Sequence, residues 1–190
     1  PTVMSEKLKE AAKAADMIIT TGGVSVGKKD IMHESLRLMG AERIFWRVKM
    51  KPGMPTLFSA YKKTSDITAT DNCASEREIP IISLSGNPFG VAVSIELLIR
   101  PALEKMMQDP SIGLKEVNGI MADNFEKGIK GRRFIRAYLE NGKFHLPNGL
   151  HSNGVLSSMA GCNCLIDTKT MENQESRSLN AGDKVGAILL

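Results

Sequence analysis

Two stretches of this 190-residue chain share one order: a short apolar run, then glycine, then the pattern of a helix. The first reads D-M-I-I-T-T-G-G-V-S-V-G over residues 16–27, and the second reads I-P-I-I-S-L-S-G-N-P over residues 79–88. A strand that ends in a glycine loop and continues into a helix is the building unit of layered α/β folds. Both loops are therefore expected at the carboxyl ends of their strands, where such folds bind anions.

Apolar residues at helical spacing predict three helices: residues 2–15, 31–39 and 89–107. Asp30 is expected to cap the second helix, because a short acidic side chain can accept hydrogen bonds from the first helical N–H groups. Gly40 is expected to end that helix in the left-handed conformation. Pro101 is expected to kink or break the third, because proline has no N–H to donate.

Short apolar runs predict four strands in the first part of the chain: residues 16–21, 44–50, 56–61 and 79–84. The last run is apolar throughout, which suits a strand that is buried on both faces. Strands that alternate with helices predict a layered, mostly parallel sheet. Residues 62–78 are polar and lack a period, so we interpret them as a loop or a flexible insertion.

The pattern changes after residue 112. Short β runs follow, separated by Asn-Gly pairs at 141–142 and 148–149, and such pairs between alternating strands predict hairpins. The sequence therefore predicts two domains: an α/β domain over residues 1–112, and a small all-β, barrel-like domain over residues 113–190.

The formal net charge of +4 and a pI near 9.0 favour an anionic partner. A basic cluster in the second half contains Lys127, Lys130, Arg132, Arg133 and Arg136. Few aromatic residues lie near it to stack on bases, so nucleic acid is a weak candidate and a small anionic ligand a stronger one. The simplest alternative is that this cluster is a solvated basic strand face.

No apolar run approaches the roughly 20 residues of a membrane helix, and no signal-peptide pattern opens the chain. Three cysteines do not make a disulfide framework. We interpret Cys162 and Cys164 as reduced, structural residues rather than metal ligands, which predicts a cytoplasmic protein.

A third loop, K-P-G-M-P over residues 51–55, also follows a predicted strand. Its two prolines and glycine restrict the backbone and make Lys51 a positioned cation. Three loops at one sheet edge predict a binding crevice for a phosphorylated ligand. The alternatives are a tight strand–helix turn for the glycine loop and a solvated charge for Lys51.

The motifs T-G-G-V-S-V-G-x-x-D, K-P-G-x-P and L-S-G-N-P, at these spacings, resemble the molybdopterin molybdenumtransferase family, the MoeA/gephyrin group. The stretches F-I-R at 134–136, H-S-N-G-V-L-S-S-M at 151–159 and L-N-A-G-D-K-V at 179–185 resemble its C-terminal β-domain. The resemblance implies binding of molybdopterin or adenylyl-molybdopterin, cleavage of the adenylate and transfer of molybdate to the pterin dithiolene. It also implies Mg²⁺ and a homodimer.

The resemblance assigns roles to residues in each loop. Asp30 would be catalytic and would hold the metal, and Lys51 would be catalytic and hold molybdate or phosphate. The substrate-binding residues would be Gly22, Gly23, Ser25, Gly27, Pro52, Pro55, Ser85, Gly86, Asn87, Pro88, Arg136 and Ser152. A surface strand arginine is the alternative for Arg136.

The chain departs from the family pattern at three points. Met54 stands where a second lysine is usual, and Asn153, beside Ser152, stands where a serine is expected. The initial strands of the family's α/β domain are not in this sequence. These departures leave two alternatives open: a non-catalytic module that binds molybdopterin or molybdate, and a dimerising interaction scaffold like gephyrin.

Overall fold

The computed structural model describes residues 1–27, 30–63, 77–129, 131–148, 156–168 and 177–190. The chain forms two compact units, Pro1–Val48 with Pro55–Gly86, and Lys49–Met54 with Asn87–Leu190. The predicted boundary near residue 112 followed the change in sequence pattern. The compact units do not divide the chain at residue 112, because they follow contacts within the fold. The domain boundary near residue 112 stays a prediction.

The helices are α1 (Thr2–Ala14), α2 (Met32–Met39), α3 (Pro88–Ser94) and α4 (Arg100–Met107). The strands of the first unit and of the loop that leaves it are β1 (Ile18–Thr21), β2 (Glu42–Trp46), β3 (Met50–Lys51), β4 (Leu57–Lys63) and β5 (Arg77–Leu84). The strands of the second half are β6 (Lys115–Met121), β7 (Phe125–Ile129), β8 (Arg132–Glu140), β9 (Lys143–His145), β10 (Cys164–Asp167), β11 (Arg177–Leu179) and β12 (Lys184–Leu189).

The sheet of the first unit has the order β1-β5-β4-β2. Strands β1 and β5 are parallel, whereas β4 is antiparallel to both β5 and β2. The α/β class is confirmed, but the predicted parallel majority is wrong for the described strands. One reason is that, among the described residues, no helix lies between β2 and β4 along the chain, so these two strands can pair antiparallel.

The core of the first unit lies between this sheet and the two helices. Leu8 and Ala12 of α1 and Leu36 of α2 are buried in one cluster with Ile18 and Ile81 of the sheet. Burying one such aliphatic side chain contributes about 1.5–3 kcal/mol. As predicted, Ile79 to Leu84 of β5 are largely buried on both faces, since Ile79, Ile81 and Leu84 are inaccessible to solvent. This packing fixes the β1–β5 pair that carries the two glycine loops.

Two local predictions in the first unit are corrected. Asp30 does not cap α2, because the N-cap is Ile31 without a side-chain bond, and Asp30 Oδ2 instead accepts a hydrogen bond from the Gly27 N–H. The strand predicted over 44–50 is two strands, because Arg47 has a φ of 74° and interrupts the extended backbone. Gly40 ends α2 in the left-handed conformation, as predicted.

The second unit contains a closed five-stranded barrel. Its strands follow the order β10-β12-β6-β9-β8, and β8 pairs with β10 to close the ring. Asn141 and Gly142 both have positive φ and join β8 to β9, which confirms the first predicted hairpin. Gly149 of the second Asn-Gly pair lies outside the described residues. The core contains Phe144, Ile135 and Ile166.

Two further elements of this unit position the loop of residues 51–55. Strand β3 adds to the barrel by parallel pairing with β8, so that Lys51 pairs with Arg133. The helix predicted over 89–107 is α3, a π-helical segment (Ile95–Ile99) and α4 in succession. The three helical segments follow one another without a gap, and the wider π-helical turn precedes Pro101, so the alternative of a break at this proline is wrong.

Candidate anion-binding sites

The carboxyl ends of β1 and β5 bring the two glycine loops of the first unit together. Thr21 pairs with Leu84, and the Gly22 N–H donates to the Leu84 carbonyl over 2.9 Å. A Cβ placed on Gly86 would lie only 3.6 Å from the Gly22 Cα, whereas one placed on Gly22 would meet nothing within 4 Å. The two loops are therefore joined by the hydrogen bond from Gly22 to Leu84, Gly86 has room for no more than a Cβ on the side of Gly22, and Gly22 borders open space.

Three buried hydroxyls lie at this edge without hydrogen-bond partners among the described residues. They belong to Thr20, Ser83 and Ser85. Thr20 and Ser83 are paired neighbours on β1 and β5, and Ser85 is the next residue after β5 ends. A buried hydroxyl without a partner costs roughly 1–3 kcal/mol. Groups of this kind are expected where a ligand completes the hydrogen bonding.

The rest of the first glycine loop is held by hydrogen bonds to its backbone. The Gly23 carbonyl accepts from the Met32 N–H over 3.1 Å, which joins the loop to the start of α2. The Val24 carbonyl accepts from Trp46 Nε1 over 2.9 Å, and Val24 itself is buried. Ser25 and Gly27 are exposed. Lys28 and Lys29 lie outside the described residues.

The acidic member of this loop is Asp30, which is half-buried. One of its carboxylate oxygens accepts from the Gly27 N–H, so the side chain closes the loop. Among the described residues, no group of three or more histidine, cysteine, aspartate or glutamate side chains is placed to hold a metal ion. Asp30 alone does not make a metal site out of protein ligands.

In the second unit, the K-P-G-M-P loop is fixed by packing. Gly53 has a φ of 96°, and a Cβ there would lie 2.8 Å from both Met50 Cε and Ser94 Oγ. Pro52 and Gly53 are buried, while Lys51 and Met54 are exposed. The loop is thus packed tightly at Pro52 and Gly53, while the side chains on either side of them, Lys51 and Met54, reach solvent.

A cavity of about 330 Å³, including its open mouth, lies next to this loop within the second unit. Its lining consists of Lys51, Pro52, Phe89, Phe125, Arg133, Phe134, Ile135 and Arg136. Three of these side chains are cations and no lining residue is acidic, so the cavity suits an anion. Sequence reasoning missed Arg133 and Phe89 as members of a site. The pairing of β3 with β8, which brings Arg133 beside Lys51, had no signal in the sequence.

Arg136 is buried, with a residue exposure of 2%, so its interpretation as a surface strand arginine is wrong. Its Nη1 donates to Ser158 Oγ, and its Cζ lies 4.1 Å from the centre of the Phe89 ring. Burial lowers the pKa of Arg136, and the neighbouring Cys162 opposes that shift. Arginine remains protonated in proteins nonetheless. Arg136 is therefore a desolvated cation at the wall of the cavity.

The basic cluster is likewise not one solvated strand face. Arg132 makes a bidentate pair with Asp167, 2.7 Å at its shortest, and Arg133 lies over the Phe125 ring at 5.8 Å. These two arginines and Arg136 thus have three different surroundings. The side chains of Lys127 and Lys130 are outside the described residues.

The structure groups the predicted site residues into two sets. Gly22, Gly23, Ser85 and Gly86 meet in the first unit, and Lys51, Pro52 and Arg136 line the cavity of the second. Asn87 caps α3, accepting from the Gly90 N–H over 3.0 Å, and Pro88 is the first residue of that helix. Pro55 is half-buried in the first unit. Ser152 and Asn153 lie outside the described residues. All of these roles stay predictions.

An α/β unit with glycine loops at a parallel strand pair is the architecture of domains that bind phosphates and cofactors. The family model described as "Probable molybdopterin binding domain" matches residues 1–105, more than half of the chain. The model described as "MoeA C-terminal region (domain IV)" matches residues 118–190. The chain belongs to the probable molybdopterin binding domain family, and the predicted resemblance to the MoeA group is confirmed.

Named relatives agree with this assignment. The molybdopterin molybdenumtransferase of Staphylococcus aureus (strain Mu50) is 30% identical over 185 residues, which are 96% of this chain and 40% of the relative. That of Bacillus subtilis (strain 168) is 29% identical over 162 residues, 84% of this chain and 34% of the relative. The chain thus spans 34% to 40% of the length of these curated relatives.

Solved structures share the fold. The molybdopterin biosynthesis moeA protein from Pyrococcus horikoshii OT3 superimposes with a TM-score of 0.66 at 23% identity, over 100% of this chain and 39% of that one. A molybdenum cofactor biosynthesis protein from Pyrococcus furiosus gives a TM-score of 0.66 at 19% identity, over 98% of this chain and 54% of that one. In the part of the chain that is described, no helix is long and apolar enough to cross a membrane.

Proposed function

We propose that this chain acts in molybdenum cofactor biosynthesis as part of a molybdopterin molybdenumtransferase. It binds molybdopterin or adenylyl-molybdopterin; water cleaves the adenylate, and molybdate is transferred to the pterin dithiolene. The observation that carries the proposal is the meeting of the two glycine loops, where the Gly22 N–H donates to the Leu84 carbonyl and Gly22 borders open space. Relatives that carry the name of this activity match nearly the whole chain.

The glycine-loop edge binds the phosphate part of the ligand in this proposal. The backbone N–H of Gly23 and the hydroxyl of Ser25 are the donors offered to the ligand. The N–H groups of Gly22 and Gly27 already donate to the Leu84 carbonyl and to Asp30 Oδ2, so they shape the loop and do not bind the ligand. The buried hydroxyls of Thr20 and Ser85 have no partner among the described residues, and an oxyanion would supply one.

The cationic cavity of the second unit binds a second oxyanion, which we assign to molybdate or phosphate. Lys51 supplies an exposed charge at its mouth, and Arg136 supplies a buried one that is already oriented by Ser158 and Phe89. Hydrogen bonds from charged donors contribute roughly 1.5–3 kcal/mol each. Pro52 fixes the backbone from which Lys51 projects.

Magnesium belongs to the same proposal. Mg²⁺ keeps several waters and commonly binds through one or two carboxylates together with phosphate oxygens. Asp30, beside the glycine loop, fits that role with a phosphorylated ligand, although the described residues hold no cluster of protein ligands. When bound, the ion would neutralise phosphate charge. We also propose a cytoplasmic homodimer, as the family resemblance implies.

A matched pair of buried serines tests the proposal. Ser85 and Ser59 are both buried, and the hydroxyl of each has no partner among the described residues. Ser85 follows β5 at the glycine loop, whereas Ser59 lies inside β4, opposite Ile81. Replacement by alanine should leave the stability of both variants unchanged or slightly raised, because no hydrogen bond within the described fold is lost.

The affinity of each variant for molybdopterin and for its adenylate is measured by titration. Ser85→Ala should weaken binding by roughly 10- to 100-fold, as expected for loss of one hydrogen bond to a charged group, and Ser59→Ala should have no effect. Equal affinities in the two variants would remove the glycine-loop edge from the ligand site. Failure of the parent protein to bind either ligand would overturn the proposed function.

One observation favours a second candidate, the non-catalytic binding module. Met54 replaces the lysine that is usual in the family's K-P-G loop, and it is 42% exposed, so it brings no donor to this part of the loop. A module of that kind would bind the pterin and not insert molybdate. Measuring ligand binding and cofactor formation separately distinguishes the two candidates.

A further inference from the structure

Trp46 is the single tryptophan of the sequence, and it contacts the glycine loop. It ends β2, and its indole Nε1 donates to the Val24 carbonyl over 2.9 Å. His33 of α2 packs edge-on against the same indole, with ring centres 4.7 Å apart. The indole is therefore held from the loop and from the helix that follows the loop.

Arg47, the next residue, lies on this indole in an unusual conformation. Its Cζ is 4.2 Å from the centre of the Trp46 ring, and its φ is 74°. Few residues with a side chain adopt that region, and such strain is found most often at functional sites. The Arg47 N–H donates to the Thr56 carbonyl over 2.8 Å. This hydrogen bond joins the two ends of segment 48–55 and fixes the backbone of the strained residue.

The guanidinium is close enough to the glycine loop to act on an anion bound there. The two contacts through the indole place it within about 10 Å of the Val24 carbonyl, roughly one Debye length at 0.1 M salt. Arg47 is exposed, so its charge is accessible. The described parts of the two glycine loops, residues 20–27 and 84–86, contain hydroxyls and backbone N–H groups but no cationic side chain.

We propose that Arg47 is a further anion-binding residue of the glycine-loop site, and that Trp46 is the positioning residue that carries it and anchors the loop. The ligand group would be a phosphate or diphosphate. Stacking on the indole keeps the planar guanidinium oriented, so that less entropy is lost when it binds an oxyanion. This inference rests on the proposed function of the loop and names residues that the motif resemblance did not assign.

The single tryptophan makes the test direct, because its fluorescence reports on the loop that it contacts. The probe is inorganic pyrophosphate, titrated into the 190-residue protein at low and at high salt. Arg47→Met removes the charge, and Arg43→Met is the matched control, since Arg43 is an exposed arginine on β2, the strand that ends just before Arg47. Both variants change the net charge equally, so general electrostatic attraction is controlled.

Binding should change the fluorescence of the parent and of Arg43→Met, with similar affinities. Arg47→Met should weaken binding by about 10-fold, the lower end for a hydrogen bond to a charged group, because Arg47 is exposed. Arg47→Gly should weaken binding to the same degree while the melting temperature stays equal or rises, since glycine adopts positive φ without strain.

Trp46→Phe keeps an aromatic ring but removes the donor to Val24, and its binding is measured by calorimetry. It should lose affinity for pyrophosphate as well, and combining it with Arg47→Met should add little, because both act through the same stack. Unchanged affinity in Arg47→Met and Arg47→Gly would overturn this proposal alone. A parent protein that does not bind pyrophosphate would overturn it together with the phosphate-binding role of the loop.

Discussion

The two candidate sites are built from different materials. The edge at β1 and β5 consists of glycine backbone and small hydroxyl side chains, and it has space at Gly22. The cavity of the second unit consists of cations and aromatic rings, and its glycine, Gly53, has no space at all. The glycine-loop edge lets a ligand come close to the protein backbone. The cavity instead holds cationic side chains in fixed positions, where they can bind an anion.

Because of this difference, the two sites need different structural support. Backbone donors need only the strand pair and the start of a helix, which α1 and α2 stabilise by covering one face of the sheet. A buried arginine needs rigid surroundings on several sides, because burying a charge costs free energy unless its N–H groups have hydrogen-bond partners. The closed barrel supplies such surroundings through the pairing of β8 with β10.

The largest effect on stability should come from replacing one glycine of each site, Gly53 or Gly22, by alanine. In Gly53→Ala the new Cβ meets Met50 and Ser94 at 2.8 Å and the φ of 96° is strained as well, so unfolding free energy should fall by about 2–4 kcal/mol. In Gly22→Ala only the strained φ of 84° counts, and the loss should be about 1–2 kcal/mol. Urea denaturation measures both.

Ligand affinity should follow the reverse order in these two variants. The open space at Gly22 is where we place the phosphate, so Gly22→Ala should weaken binding more than its small loss of stability suggests. If the two alanines destabilise equally, the contrast between a packed loop and an open one is wrong.

The next effect concerns the buried cation. Arg136→Met keeps an unbranched apolar side chain but removes the guanidinium that lies over Phe89, and with it the charge of the cavity wall. Binding of the oxyanion should weaken by about 1.5–3 kcal/mol, because charge-assisted bonds of a desolvated donor are strong. The measurement is calorimetric titration with molybdate and with phosphate.

Arg132→Met is the matched control, because Arg132 precedes Arg136 on the same strand and pairs with Asp167 rather than lining the cavity. It should leave affinity nearly unchanged, and it should cost about 1–3 kcal/mol of stability, because the Asp167 side chain is largely buried and loses this charged partner. Equal losses of affinity in both variants would mean that only net charge matters and that the cavity does not bind the anion.

Much of the first site could be predicted from sequence, because its signals are local. The strand, the glycines and the helix that make the loop are within 24 consecutive residues, 16–39. The second site could not be predicted in the same way. Whether Arg136 is buried depends on pairing with β10, and Leu165, its partner there, is 29 positions further along the chain.

Trp46 and Arg47 show a different limit. The pattern over 44–50 predicts one continuous strand, because no residue type there indicates the positive φ that Arg47 has. The bond from Trp46 to Val24 joins residues 22 positions apart, so no motif contains both. Contacts of this kind are seen only when the sheet order is known.

A smaller effect tests the rigidity of the barrel wall through Cys164. This thiol is buried beside Ala137, and burial raises its pKa to about 12. Below pH 9 the thiol is protonated in both folded and unfolded chains. Above that, the unfolded chain ionises while the folded one keeps its proton, so stability should fall between pH 9 and 12, by about 1 kcal/mol at pH 10.

The comparison of the protein with Cys164→Ala isolates this contribution from the other groups that titrate. The alanine variant should lose less stability between pH 8 and pH 10, as measured by urea denaturation at each pH. Parallel pH profiles would show that the thiol ionises inside the barrel, and hence that the wall around Arg136 opens to water more readily than we infer.

The smallest effect concerns Met54, beside the packed Gly53. Met54 is 42% exposed, so a lysine fits there without displacing the core of the loop. Met54→Lys would place a second cation near Lys51, as in the resembled family, and should raise affinity for molybdate by at most about 1 kcal/mol because an exposed charge is well solvated. Pterin affinity should be unchanged, since the glycine-loop edge in the first unit is untouched. Met106→Lys, another exposed methionine at 43%, controls for net charge. Calorimetric titration with molybdate at two salt concentrations separates the variants. A similar gain in both would assign the effect to general attraction, whereas a gain in pterin affinity with Met54→Lys would show that the two sites do not divide the ligand as we propose.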